Sequence, residues 1–238
     1  MIKFEHTVTP SPEQMEFVIE GMRNPMDSWE KTDSYACVMR GDGFGDIPVL
    51  RLGDNDADLM ERLKNGGSEH RKFMRMMPVM VRITAPLYWW KEFDTYKIGT
   101  VRNSCSTMHT LHKKGVTPDA FSHEWVDEVG DTYITEKCPF AVDEFCHSNV
   151  RYVYNLYLYT IEQLRIKFNE TKEKKYWYAM IQMLPDGFMM TANVSMNYEV
   201  IFNQMYQRAH HKQEEWSGQD GYLAWAKTLP YQFLLEEE

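Results

Sequence analysis

An alternating strand that ends against a proline is the tightest constraint this chain carries. Val79, Val81 and Ile83 are apolar and alternate with Met80 and Arg82, the period-2 pattern of a strand with one buried face. The strand Val79 to Thr84 breaks at Ala85-Pro86. Proline then opens a helix that carries Tyr88, Trp89 and Trp90 into Lys91-Glu92. A turn at Gly99 leads into short polar groups: Thr100, Arg102, Asn103, Ser104, Cys105, Ser106 and Thr107. Small hydroxyls, backbone amides and an arginine are what a phosphate or a nucleoside needs from a loop. The same composition also suits an aromatic core helix followed by a polar turn.

The flanking chain predicts one α+β domain over residues 1–238. A short strand at Ile2 to His6 precedes a well-marked helix start, with Ser11 as N-cap, Pro12 at the first position and Gln14 placed for a capping box. Met15, Val18, Ile19 and Met22 form its apolar face, and it stops near Asn24-Pro25. Residues 27–33 read as loop, and the glycine-rich segment from Gly41 to Asp46 as a turn, because it lacks the strand-to-helix setting of a dinucleotide fingerprint. Asn55 or Asp56 caps a second helix with Leu59, Met60 and Leu63 inward, ended by Gly66-Gly67.

Beyond the central stretch, residues 112–140 read as mostly loop, with strand signals near Tyr133 to Thr135. A long helix is expected from about Val142 to Phe168, then a solvated charged connection from Asn169 to Lys175. Leu184-Pro185-Asp186-Gly187 is a turn, Met189 to Val194 a strand, and Ser195 the cap of a helix reaching about Lys212. An amphipathic segment from Tyr222 to Lys227 ends at Pro230. On the late helix, eleven residues at about 100° each bring Asn197 and Arg208 to within roughly 20° of one direction. Gln204 joins that stripe, which either faces water or lines a polar site.

Charge and cysteine usage narrow the classes of function. A formal net charge of −9 argues against a general nucleic-acid or membrane-surface binder, while a local basic pocket for an anionic substrate stays compatible with it. No run approaches the length of a membrane span and no signal peptide is recognisable, so a cytoplasmic location is expected. The four cysteines form no CxxC pair and read as reduced thiols. Cys138, Cys146 and His147 do not match a zinc pattern, nor do His109 and His112, and no metal is expected. Cys105 beside Arg102 could be a lowered-pKa nucleophile or a small packed residue.

Taken together, the chain resembles the flavin-dependent thymidylate synthases. His70, the strand Val79 to Thr84, Ala85-Pro86 and the helix after it stand in the family's order, followed by a serine-rich loop. Downstream, Leu184-Pro185, Asn197, Asn203 and Arg208 match the family's Leu-Pro, two asparagines and arginine. The departures concentrate in one motif. Lys91-Glu92 stands where the family has Arg-Gln, Thr95-Tyr96-Lys97 where it has Arg-His-Arg, and Cys105 and Thr107 where the loop has its main serine and closing arginine. Ile181 replaces a further arginine, and Lys97, Arg102, Lys91 and Arg82 are the cations that could stand in.

The resemblance implies a central, mostly antiparallel sheet with flanking long helices and a homotetramer with shared active sites. It implies methylation of dUMP or a related pyrimidine nucleotide, with reduced FAD, methylenetetrahydrofolate and NADPH taking part. Arg208, Ser104 and Ser106 fall at catalytic positions of the family. His70, Tyr96, Lys97, Thr100, Arg102, Asn103, Asn197 and Asn203 fall at FAD positions, and Glu92, Cys105, Ser106, Thr107 and Arg208 at substrate positions. Loss of the arginine-rich motif leaves a second reading, a homologue that binds a nucleotide without catalysis.

Overall fold

The computed structural model describes residues 1–41, 45–134 and 148–236. The elements run in the order β1 (Lys3–Val8), α1 (Pro12–Arg23), β2 (Tyr35–Gly41), β3 (Gly45–Arg51), α2 (Asp54–Asn65), α3 (Lys72–Arg75), β4 (Pro78–Pro86) and α4 (Leu87–Phe93). Next come β5 (Val101–Ser104), α5 (Thr107–Thr110), α6 (Glu124–Glu128), β6 (Tyr133–Ile134), β7 (Ser148–Asn149), α7 (Val150–Thr171) and α8 (Lys174–Gln182). The chain closes with β8 (Met189–Asn197), α9 (Tyr198–Arg208), α10 (Glu214–Ser217) and α11 (Tyr222–Ala226). Four strands form a sheet in the order β1-β4-β8-β5. β4 and β8 run antiparallel: Leu87 N donates to Phe188 O beyond one end of the pair and Tyr198 N to Met77 O beyond the other. No helix among the described residues is long and apolar enough to cross a membrane.

The chain divides into two compact units. The larger comprises Ile2–Ile83, Asp94–Asn103 and Ala192–Glu238. Here the capping box forms as the sequence predicts: Gln14 N donates to Ser11 Oγ at 3.2 Å, and Ser11 N to Gln14 Oε1 at 2.9 Å. Met15, Val18, Ile19 and Met22 are buried, as are Val79, Val81 and Ile83 on one face of β4. The expected cap of α2 is corrected. Gly53 is the N-cap, and the carboxylate of Asp33, distant in sequence, accepts from Asn55 N and Asp56 N. Asp56 instead turns inward, pairs with Arg23 at 2.6 Å and accepts from Asp33 N and Ser34 N. A buried carboxylate requires such partners, which is why an aspartate can sit on the inner face beside Met60. Leu59 and Leu63 are only half-buried.

β2 and β3 form an antiparallel hairpin that the sequence did not announce; residues 42–44 of the expected turn lie outside the described residues. The helix expected to start at Ser195 starts two residues later. β8 keeps its alternation through Met196, and Asn197 caps α9 by accepting from Val200 N at 3.1 Å. Asn197 therefore belongs to the helix start, not to a stripe along it, and Gln204 is fully buried, receiving a hydrogen bond from Tyr222.

The smaller unit comprises Thr84–Phe93 and Ser104–Thr191, with Met1. Its core joins Leu111, Phe121, Leu158, Ile161 and Met180. α7 begins at Val150, because Ser148–Asn149 pair with Tyr133–Ile134 in a two-stranded ladder and Asn149 caps the helix. The expected start of this helix, 142–147, lies outside the described residues, as do Cys138, Cys146 and His147. The charged connection is shorter than expected, since α7 continues to Thr171 and α8 resumes at Lys174. The segment 112–134 is not simply loop but holds α6 and short 3₁₀ turns. On α4, Trp89, Trp90 and Phe93 are buried and mutually packed, and Trp90 Nε1 donates to Met190 O at 3.0 Å.

Candidate functional site

The polar run after Gly99 is a strand followed by a helical turn, not a loop: 101–104 form β5, and Ser106 precedes α5. Gly99 is where the chain must turn, with φ of 78°. A Cβ there would sit 2.9 Å from Asn197 Nδ2 and 3.0 Å from Val200 Cγ2, so both the torsion and the space demand glycine.

In the larger unit the structure gathers Tyr96, Arg208 and their neighbours. Arg208 Nε donates to the Tyr96 hydroxyl at 3.0 Å, and that hydroxyl donates to Gln207 Oε1 at 3.1 Å. The guanidinium carbon lies 5.6 Å from the centre of the Tyr96 ring and 5.1 Å from that of Trp216. The two ring centres are themselves 6.3 Å apart and tilted by 57°, so the guanidinium sits beside both rings at one corner of a compact triangle. Beneath it, Tyr222 is fully buried, and burial, followed by the neighbouring Tyr96, holds its phenol well above the usual tyrosine range. Trp216 and Gln207 were not identified from sequence; a tryptophan eight residues beyond Arg208, across a helix end, leaves no periodic signal.

The other expected flavin residues in this unit are placed less tightly. Arg102 is half-buried and pairs with Asp94 at 3.0 Å. Thr100 Oγ1 is buried and has no hydrogen-bond partner among the described residues. Asn203 is half-buried, while Lys97, Asn103 and His70 are exposed, as is Arg82 on the outer face of β4.

In the smaller unit Ser104, Cys105 and Ser106 are exposed, and Glu92 and Thr107 half-buried. Cys105 N donates to Thr191 O at 2.9 Å, and its thiol lies 3.8 Å from Thr110 Oγ1. Lys91, at a family arginine position, pairs with Asp186. Cys105 and Thr107 line a cavity of about 350 Å³ together with Thr110, Lys114, Thr117, Phe121 and Phe188. The Phe121 and Phe188 rings stand edge to face with centres 5.6 Å apart. Ser104 and Ser106 do not line it. No group of histidine, cysteine and carboxylate side chains that could hold a metal occurs among the described residues.

Comparison with protein-family models returns no match, and comparison with curated protein sequences returns none either. Solved structures do match along the whole chain. Thymidylate synthase X from Helicobacter pylori, crystallised with FAD and dUMP, superposes with a TM-score of 0.60 at 17% identity, over 99% of this chain and 96% of that one. A second structure from the same organism, described as a flavin-dependent thymidylate synthase with FAD and dUMP, gives 0.60 at 18%, over 99% and 97%. The UMP/dUMP methylase PolB from Streptomyces cacaoi, bound with 5-Br dUMP, gives 0.54 at 14%, over 98% and 92%. The fold is that of a flavin-dependent thymidylate synthase. At these identities the likeness establishes architecture, and the chemistry must be argued from side chains.

Proposed function

We propose that this chain, taken as one catalytic domain and a divergent member of the flavin-dependent thymidylate synthase family, methylates dUMP or a related pyrimidine nucleotide as a homotetramer. The reading rests on one observation: neighbours that match over nearly the full length of both chains were crystallised with FAD and dUMP or a brominated dUMP. The residues of this chain fit such ligands. Thr100 offers a buried hydroxyl short of a partner, two residues from the Arg102 guanidinium, which is what a phosphate or ring carbonyl would satisfy. His70, Tyr96, Lys97, Asn103, Asn197 and Asn203 complete the proposed FAD set.

When bound, reduced FAD would supply hydride and methylenetetrahydrofolate the one-carbon unit, with NADPH as reductant. The protein's own part is to fix rings and anions. Arg208, hydrogen-bonded to Tyr96 and lying beside the Tyr96 and Trp216 rings, presents its guanidinium to the nucleotide. In the proposed tetramer Arg208 of one subunit serves a site on another, where Glu92, Ser104, Cys105, Ser106 and Thr107 provide acceptors, hydroxyls and backbone amides.

A second reading, nucleotide binding without catalysis, is favoured by the carboxylates that already occupy two candidate cations, Asp186 on Lys91 and Asp94 on Arg102. Titration of the purified protein with FAD and with dUMP, followed by absorbance, fluorescence and melting temperature, separates the two. Flavin spectral change and a melting shift with both ligands support the enzyme. A response to dUMP alone supports the second reading, and no response to millimolar FAD removes the flavoenzyme.

A further inference from the structure

The cavity of the smaller unit contains two residues of the proposed substrate set, Cys105 and Thr107, but neither carries a positive charge. Its lining holds one cation, Lys114, contributed by a segment that sequence reading leaves as featureless loop. We infer that Lys114 is the phosphate-binding residue of this chain: its ammonium, with the hydroxyls of Thr107 and Thr117, holds the monoester of a pyrimidine nucleotide whose base packs toward Phe121 and Phe188. The inference rests on the nucleotide reading above and names the cation that replaces the missing arginines.

Three features carry it. The first is composition. The cavity is lined by aromatic and apolar side chains together with threonines and one lysine, with a volume inside the roughly 300–1,000 Å³ range of small-molecule sites. Asp119 is the acidic residue of the lining and disfavours a second anion, which limits the site to one anionic group.

Availability is the second. Lys114 is exposed and has no ion-pair partner among the described residues, in contrast to Lys91 and Arg102.

Positioning is the third. The backbone on both sides of Lys114 is pinned to α7. His112 O accepts from Arg165 at 3.2 Å and from Asn169 at 2.9 Å, and Val116 N donates to Glu162 Oε2 at 2.8 Å. Glu162 and Arg165 are themselves paired at 2.6 Å. A lysine on a loop fixed two residues before and two residues after it loses little backbone entropy when it binds, so the cost that remains is the ordering of its own side chain.

Calorimetric titration of the full chain and of Lys114→Ala and Lys114→Arg, with dUMP, deoxyuridine and inorganic phosphate, tests the inference. Lys114→Ala is expected to weaken dUMP binding about tenfold to a hundredfold, to leave deoxyuridine binding unchanged, and to be largely rescued in Lys114→Arg. Its melting temperature without ligand should match the parent's, since the side chain is exposed. Inorganic phosphate should bind the parent weakly and Lys114→Ala not at all. Unchanged dUMP affinity in Lys114→Ala overturns this inference alone. Equal loss of dUMP and deoxyuridine overturns it too, because the lysine would then act on the cavity's shape and not on the phosphate. Failure of the parent chain to bind any pyrimidine nucleotide removes both this inference and the reading on which it stands.

Discussion

Arg208 carries more structural contact than its place in the sequence suggests. From sequence it lies on a stripe that either faces water or lines a polar site, at a position the resemblance makes catalytic and substrate-binding. In the structure it is half-buried, donates to Tyr96 and lies over two rings. Arg208→Ala should therefore do two things. It should weaken dUMP binding by about 2–3 kcal/mol if the guanidinium contacts the nucleotide, and lower unfolding stability by about 1 kcal/mol through the lost stacking and hydrogen bond. Arg208→Lys should recover part of the binding and little of the stacking, because an ammonium has neither the plane nor the fork. Denaturant titration and calorimetry on the same preparations measure both. Lost stability with unchanged nucleotide affinity would make Arg208 a structural residue only.

At the scale of elements, α7 is the beam to which the Lys114 loop is fixed, and Glu162 is one of its attachments. The hydrogen bond from Arg165 holds the Glu162 carboxyl below its ordinary value of 4.5, with Val116 N helping and burial opposing. A carboxylate depressed in the folded state adds stability that is fully present above the unfolded value and disappears as pH falls through the folded one. Glu162→Gln should thus cost about 1–2 kcal/mol near neutral pH, with the gap to the parent closing as pH drops below 4.5. Urea midpoints measured from pH 7 down to pH 3 give the comparison, and a gap that persists at the acid end would exclude the ion pair as its source.

The same scale shows what sequence could and could not yield. α1 and β4 were legible because their apolar faces are buried and their caps are local, as Ser11 with Gln14 shows. The β2–β3 hairpin was not, because Val38 and Ile47 are exposed, so burial imposes no period on it. The start of α9 was misplaced for the opposite reason. Ser195 and Asn197 are both good caps, and only the alternation continuing through Met196 chooses between them. α2 was capped from outside by Asp33, twenty-two residues before Asn55, which no local rule reports. For the candidate site, the stretch 96–107 and Arg208 were visible as residue types, while Trp216, Lys114 and the two phenylalanines required tertiary structure.

At the scale of the whole molecule, the proposed homotetramer needs faces on which copies with a formal charge of −9 can meet. α7 supplies one. Tyr152, Leu156 and Tyr159 recur at helical spacing, with Val153 beside them, and all are 41–60% exposed. The other exposed residues from 152 to 160, Asn155 and Thr160, are also uncharged. A two-fold contact sets the same patch of both copies face to face, with residues near the axis meeting their own copies, so a charge-free stripe is a face where a strongly acidic chain can pair with itself. The occupant expected on it is a second copy of this chain. Leu156→Arg would set two like charges near the axis at the cost of little in the monomer, where half of that side chain is already exposed. Light scattering should give a tetramer for the parent and a smaller species for Leu156→Arg, with unchanged helical content by circular dichroism. A monomeric parent at working concentration would remove the tetramer, and a tetrameric Leu156→Arg would move the interface to another face.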